Sequence, residues 1–159
     1  MRAYEFLDQP VTRCVHFVQT GGAGESVERE VAAAKKKGVK FVYWSYLNGG
    51  RDSTTIADPL AAELGLEHAP YGNLPWIRFL DDLISLAYRY AGLVIIIDRA
   101  DLLITERRDD MFNCLEAFLH QFHHWYDQKK PCHLCFQMAK DDFVTEFFAR
   151  EAGDGMSRE

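Results

Sequence analysis

Three segments of this sequence carry residues whose types and spacing could do chemistry. The first is Gln19-Thr20-Gly21-Gly22-Ala23-Gly24-Glu25-Ser26, a glycine-rich turn between a β-like run and a helical one. A turn of this kind can aim backbone N–H groups at a phosphate. Set against the pattern G-x-x-x-x-G-K-S/T, Gly24 and Ser26 match, Gln19 replaces the first glycine, and Glu25 replaces the lysine. A lysine ammonium attracts phosphate oxygens, whereas a carboxylate repels them. One unit-charge pair at ~4 Å and an effective dielectric of about 20 is worth about 4 kcal/mol, and reversing its sign costs roughly twice that. A micromolar ligand binds with only about 8 kcal/mol in all. The segment therefore reads as a glycine turn in which Glu25, Glu28 and Glu30 complement the positive end of the next helix. The G-x-G-x-x-G reading fits Gly22 and Gly24 but meets Val27 at its third position, and Tyr46-Leu47-Asn48 offers no acid for a ribose hydroxyl.

The second segment is Leu93-Val94-Ile95-Ile96-Ile97-Asp98-Arg99-Ala100-Asp101, an aliphatic run that ends on a carboxylate. An aspartate there can hold a cation on phosphates, or it can cap the following turn. The third segment gathers Glu116, His120, His123, His124, Cys132, His133 and Cys135. On a helix, Glu116, His120 and His123 or His124 share a face and could form a metal stripe. The cysteine half fails, because on a strand Cys132 and Cys135 point to opposite faces. With no second C-x-x-C, the spacing fits no common structural zinc site, and no metal is expected. Cys14 and His16 share a strand face without forming a nucleophilic pair, and Ser45 and Ser53 lack an elbow motif.

These residues need elements to hold them. Cys14 to Gln19, Lys40 to Tyr46, Leu93 to Asp98 and Cys132 to Met138 are short runs rich in β-branched and aromatic residues, and they read as strands. Helical periods lie between and after them: Val27, Val31, Ala34; Trp76, Leu80, Leu83, Ala87, Tyr90; Leu115, Leu119, Phe122, Tyr126; and Phe143, Phe147 with Val144, Phe148. Asp58-Pro59 opens a further short helix that Gly65 closes, Asn73-Leu74-Pro75 opens the next, and Gly38, Gly92 and Gly153 are placed just past helix ends. Because Val94 to Ile97 is apolar without alternation, its strand should be buried on both faces, as in a parallel sheet covered by helices. The expectation is an α/β three-layer sandwich with a mostly parallel sheet of four to five strands, residues 1–152 forming one domain and 153–159 a flexible tail.

At Asp98 the chain resembles the P-loop NTPases of the AAA-type group. In that group the aspartate ending this strand helps hold Mg²⁺ on the phosphates, and the acidic residue after it orients the attacking water. Asp98 matches the first role, and Arg99 stands where the second carboxylate should be. Ala57 to Leu66 resembles the short helix after the group's second strand, and Gln137 ends the fourth strand where the group carries a polar sensing residue. The resemblance spans roughly Arg13 to Arg150. It implies a nucleotide site at Gly21, Gly22, Gly24, Glu25, Ser26, Asp98 and Gln137, with Asp98 as the catalytic candidate and only Asp98, Ser26 and Gln137 surviving of the catalytic set. Gln19, Glu25 and Arg99 depart from the pattern and leave too few groups to hold Mg²⁺, cradle a γ-phosphate and activate water. The expected function is thus a non-catalytic scaffold of this fold. The alternatives are an ATP- and Mg²⁺-binding NTPase in which Arg51 or Arg99 replaces the lysine, and a metal protein using the Glu/His helix face.

Composition narrows the partners. The 159 residues are 48% hydrophobic and 26% charged, and 18 Lys+Arg against 24 Asp+Glu give a net charge of −6. A chain of this size can bury about 70% of its surface without staples. No dense basic face is present, so nucleic acid is not the expected partner. Lys35, Lys36, Lys37 and Lys40 suit a helix C-terminus. The longest aliphatic run is far short of the roughly 18 residues of a membrane span, and four cysteines without a secretory leader point to reduced thiols in the cytoplasm. Tyr43, Trp44, Tyr46, Phe118, Phe122, Trp125 and Tyr126 read as core. Trp125 and the adjacent Tyr126 cannot both face one ridge, so one of them marks a contact surface for a protein partner or for self-association.

Overall fold

A computed structural model of the chain describes residues 14–19, 32, 33 and 35–139. The turn expected at Gly21 to Ser26, the helix start expected at Val27, the phenylalanine-rich segment from Phe143 and the expected tail from Gly153 fall outside these residues. The four described strands are β1 (Val15–Gln19), β2 (Val39–Ser45), β3 (Gly92–Asp98) and β4 (Cys132–Met138). All pair in parallel, in the order β1-β4-β3-β2. The chain therefore crosses over two strand positions between β1 and β2 and then steps back through β3 and β4. This α/β arrangement follows from the aliphatic β3, which is buried along its length up to Asp98.

Four helices lie wholly within the described residues: α1 (Ala57–Leu64), α2 (Pro75–Leu86), α3 (Ala100–Glu106) and α4 (Arg108–Tyr126); residues 32, 33, 35 and 36, before β2, are helical as well. Gly65 ends α1 in the left-handed region at φ 69°, its N–H reaching the carbonyls of Ala61 and Ala62, and Pro75 opens α2 at a position whose N–H would be unpaired anyway. Alternate strand residues divide between two clusters. Val42, Trp44, Leu93, Ile95, Ile97, Cys132, Leu134, Phe136 and Met138 join the inward residues of all four helices, while Val39, Val94, Ile96 and Cys135 form a second cluster on the opposite face with Val18 and Phe41. Cys132 and Cys135 therefore do lie on opposite faces of the sheet.

Asp110, in the first turn of α4, fastens the loop before α1 to the helical layer. Its carboxylate accepts from the Thr55 hydroxyl at 2.9 Å, the Ile56 N–H at 2.8 Å and the Trp76 indole N–H at 3.1 Å. Arg107 lies beside it, donating to the Ser53 carbonyl.

Four details differ from the sequence expectations. A separate short helix, α3, starts directly after β3, because Arg99 takes a left-handed conformation at φ 55° that turns the strand into it. Gly92 is the first residue of β3 and not a helix end. A Cβ there would sit 2.7 Å from Pro131 Cγ and 2.9 Å from its carbonyl oxygen, so the constraint is close backbone approach. In α4 the buried ridge is Met111, Cys114, Ala117, Phe118, Gln121 and Trp125, whereas Leu119 and Tyr126 are exposed. Tyr43 is exposed too, although Trp44 and Tyr46 are core. Among the described residues no helix is long and apolar enough to cross a membrane.

Candidate functional site

In parallel α/β sheets, the carboxyl ends of the strands are where loops and helix N-termini converge. Asp98 is the last residue of β3 and faces Ser45, the last of β2, in register; Gln137 lies one residue before the end of β4 and opposite Val18 of β1. Strand alternation puts Tyr43, Asp98 and Gln137 on the face that also carries Val94, Ile96 and Cys135. The structure brings these three side chains together. The Gln137 amide donates to Asp98 Oδ1 at 3.0 Å and to the Tyr43 hydroxyl at 3.0 Å. The Arg99 backbone N–H donates to the same Asp98 oxygen at 2.8 Å, so Asp98 caps the turn that its own strand end creates. Burial, a hydrogen bond to Asp98 and that carboxylate's charge push the Tyr43 hydroxyl up to about 12.

Arg99 is directed elsewhere. Its guanidinium meets Asp101 as a fork, Nε to Oδ1 at 3.2 Å and an η nitrogen to Oδ2 at 3.1 Å. Asp101 is buried at the start of α3. An arginine therefore follows Asp98 in the chain where the AAA-type pattern has a second carboxylate, and its guanidinium is paired with Asp101. The other cation considered for a phosphate, Arg51, is closed on Glu106, with Nε at 3.1 and 3.0 Å from the two oxygens and an η nitrogen at 2.8 Å.

Of the residues expected at a nucleotide site, Asp98 and Gln137 are thus in direct contact, while Gly21, Gly22, Gly24, Glu25 and Ser26 lie outside the described residues. β1 ends at Gln19, opposite Met138, and β4 lies between it and the strand that ends on Asp98. Sequence reasoning missed Tyr43 as a member of this cluster. The available signal was its position, two residues before the end of a strand adjacent to β3. It also missed the pair lower on the same face, where His16 Nε2 lies 3.0 Å from Nδ1 of the fully buried His133.

The Glu/His stripe on α4 is solvated. Glu116 and His120 approach only to 3.7 Å and both are mostly exposed. Among the described residues no group of three or more His, Cys, Asp or Glu side chains is placed to hold a metal ion.

The sequence matches no protein-family model and no curated protein. Solved structures do resemble it. The chain is similar to the ORC2 protein of Aeropyrum pernix in its ADPNP-ADP complexes, with a TM-score of 0.58 at 15% identity over 89% of this chain and 39% of that one. The ADP form of the same protein gives a TM-score of 0.56 at 16% identity, over 88% of this chain and 39% of that one. The chain thus spans about two fifths of the length of the protein it resembles. The likeness supports a P-loop NTPase-like α/β fold.

Proposed function

We propose that this chain is a non-catalytic module of the P-loop NTPase-like fold, kept as a scaffold for a protein partner or for self-association in the cytoplasm. The observation that carries this reading is Arg99, which follows Asp98 and is forked onto Asp101. Water activation in this fold needs a carboxylate at that position; a guanidinium tied to a buried aspartate neither accepts a proton nor orients a nucleophile. Glu25 in place of the phosphate-binding lysine argues the same way. Asp98 still accepts hydrogen bonds from Gln137 and Arg99, which gives it a structural role at the strand end.

A second reading, nucleotide binding without hydrolysis, is favoured by one observation. Two solved structures that resemble this chain, both of the Aeropyrum pernix ORC2 protein, are its ADPNP-ADP complexes and its ADP form. Calorimetric titration of Mg·ATP, and separately of ADP, at about 0.1 M salt separates the two. The scaffold reading expects no heat and no shift in melting temperature at millimolar nucleotide, a ceiling of about −4 kcal/mol of binding. Micromolar binding would install the second reading. Turnover of ATP that Asp98→Ala abolishes would overturn the non-catalytic assignment itself.

A further inference from the structure

The amino ends of β2, β3 and β4, opposite to the end that carries Asp98, collect charge of one sign. Six of the chain's seven lysines belong to segments that enter these strands: Lys35, Lys36, Lys37 and Lys40 around the start of β2, and Lys129 and Lys130 before β4. Arg89 joins them from the turn before β3. Backbone contacts hold the three segments side by side. The Ala91 N–H donates to the Gly38 carbonyl at 3.0 Å, the Leu93 N–H to the Pro131 carbonyl at 2.9 Å, and the Lys130 ammonium to the Ala87 carbonyl at 2.7 Å. Along the chain only residues 35–40 form a basic run, from which no dense basic face is expected; strand order makes one by placing β3 between β2 and β4. Three arginines at the other end of the sheet are matched, Arg51 by Glu106, Arg99 by Asp101 and Arg107 by Asp110. Among the described residues no carboxylate is bridged to Lys35, Lys36, Lys40, Arg89, Lys129 or Lys130.

Part of this charge serves the fold. The helix before β2, α2 and α4 all end here, and each C-terminus carries about half a negative charge. Asp127 lies within the patch, and Glu63 and Glu67 flank Gly65, the neighbour of Lys40. Seven cations still exceed these charges, in a chain whose net charge is −6. The aromatic groups among them are Tyr88, 72% exposed, and Tyr90, whose ring centroid lies 5.6 Å from Lys40 Nζ and 5.9 Å from the Arg89 guanidinium carbon. We propose that this edge of the sheet is a binding surface for single-stranded nucleic acid, its phosphates taken by the lysines and Arg89 and an unpaired base stacked on Tyr88. A protein partner fits less well, because protein interfaces are depleted in lysine and enriched in arginine. A membrane fits less well, because these segments expose no Leu, Ile or Phe to enter the acyl region. A duplex keeps its bases stacked and offers none to Tyr88. The surface lies at the far end of the sheet from Asp98 and goes beyond the scaffold reading, which names no nucleic acid.

Fluorescence anisotropy of the full chain with labelled oligonucleotides of about 12 nucleotides, within the usual range of site sizes, tests this. The probes are oligothymidine, oligouridine and a DNA duplex of the same length. At about 0.1 M salt the expected dissociation constant for one or both single strands is roughly 10⁻⁴–10⁻⁶ M, with a log–log salt slope on the order of −2 to −3 for three to four phosphates. The tighter of the two single strands names the polymer, and the duplex should bind about fivefold more weakly or worse. Lys36→Glu with Arg89→Glu, at exposed positions on two different segments, should keep the melting temperature, weaken binding about tenfold or more and flatten the slope. Tyr88→Ala should weaken binding about fivefold or more with the slope unchanged, and Tyr88→Phe should bind as the native chain does. Arg78→Ala, exposed on α2 and about 12 Å along it from Leu86, changes the net charge outside the patch and should leave the affinity within about twofold. No change in anisotropy up to about 300 µM protein overturns the proposal. So do affinity that the Lys36 and Arg89 reversals leave intact, duplex binding as tight as that of the single strands, and retention by phosphatidylserine vesicles without binding of either single strand. Tyr88→Ala that binds as tightly as the native chain removes the stacked base, and the single-strand assignment with it. Titration with Mg·ATP reads the other end of the sheet, so either proposal can fail alone.

Discussion

Two tyrosines show how burial and a neighbouring carboxylate act on one side chain. Tyr71 is buried and donates to Asp82 Oδ2 at 2.9 Å, while His68 reaches the other oxygen of Asp82 at 2.7 Å. Burial first, and then the Asp82 hydrogen bond and charge, push the Tyr71 hydroxyl strongly upward. Tyr43, half open to solvent, is pushed up to about 12 by burial and by Asp98. A tyrosine whose folded pKa is raised contributes stability that is fully present below the unfolded value of about 10 and is lost as pH rises toward the folded value. The protein should therefore lose stability above about pH 10. Denaturant midpoints followed from pH 9 to pH 11.5, roughly the span over which an unfolded tyrosine titrates, should fall less steeply in Tyr71→Phe, and to a smaller degree in Tyr43→Phe. Parallel slopes in all three proteins would contradict this account of both hydroxyls.

Elements here are held by where the chain can approach closely as much as by what it buries. β3 begins at Gly92 against Pro131, whose carbonyl accepts from the Leu93 N–H at 2.9 Å, and this contact delivers β4 into register beside β3. A methyl group at Gly92 would meet Pro131 Cγ at 2.7 Å and the Val39 side chain at 3.1 Å. Gly92→Ala should cost about 1–3 kcal/mol, the range for overpacking a tight site, read as a lower denaturant midpoint with an unchanged slope. An unaltered midpoint would mean that the Pro131 loop yields freely. In α4 the same physics produces two stripes. Trp125 fills the core and satisfies its indole N–H on Gln121 at 2.6 Å, which leaves the adjacent Tyr126 on the outside.

At the scale of the whole molecule, the parallel sheet sets which groups solvent can reach. Cys14, Cys114, Cys132 and Cys135 are all free and buried, and burial pushes each thiol up, Cys114 and Cys135 to about 12. A buried protonated thiol is a poor nucleophile. A thiol-specific reagent at neutral pH should label none of the four in the native protein, and labelling under mild denaturant should follow the unfolding transition for all four together. Rapid labelling of one cysteine under native conditions would reveal a local opening. The same sheet brings the ends of β2, β3 and β4 side by side, and this turns residues far apart in the chain into the Tyr43–Gln137–Asp98 cluster.

The sequence by itself determined the strands, both ends of α1, the start of α2 and the parallel α/β class, because these depend on local signals: a five-residue aliphatic run at Leu93 to Ile97, Pro75 at a helix start, Gly65 past a helix end. It also located Asp98 at the end of its strand and Gln137 beside the end of its own, and it marked Gln19, Glu25 and Arg99 as departures from the AAA-type pattern. Four things were decided only by the tertiary structure. Which of two apolar stripes on α4 faces inward depends on the direction from which the sheet approaches, and both stripes have helical period. That Gly92 answers to Pro131 depends on a neighbour in another segment. That Arg99 is closed on Asp101, and that Tyr43 joins Asp98, depends on a left-handed turn and on strand order, neither of which leaves a local trace in composition or spacing.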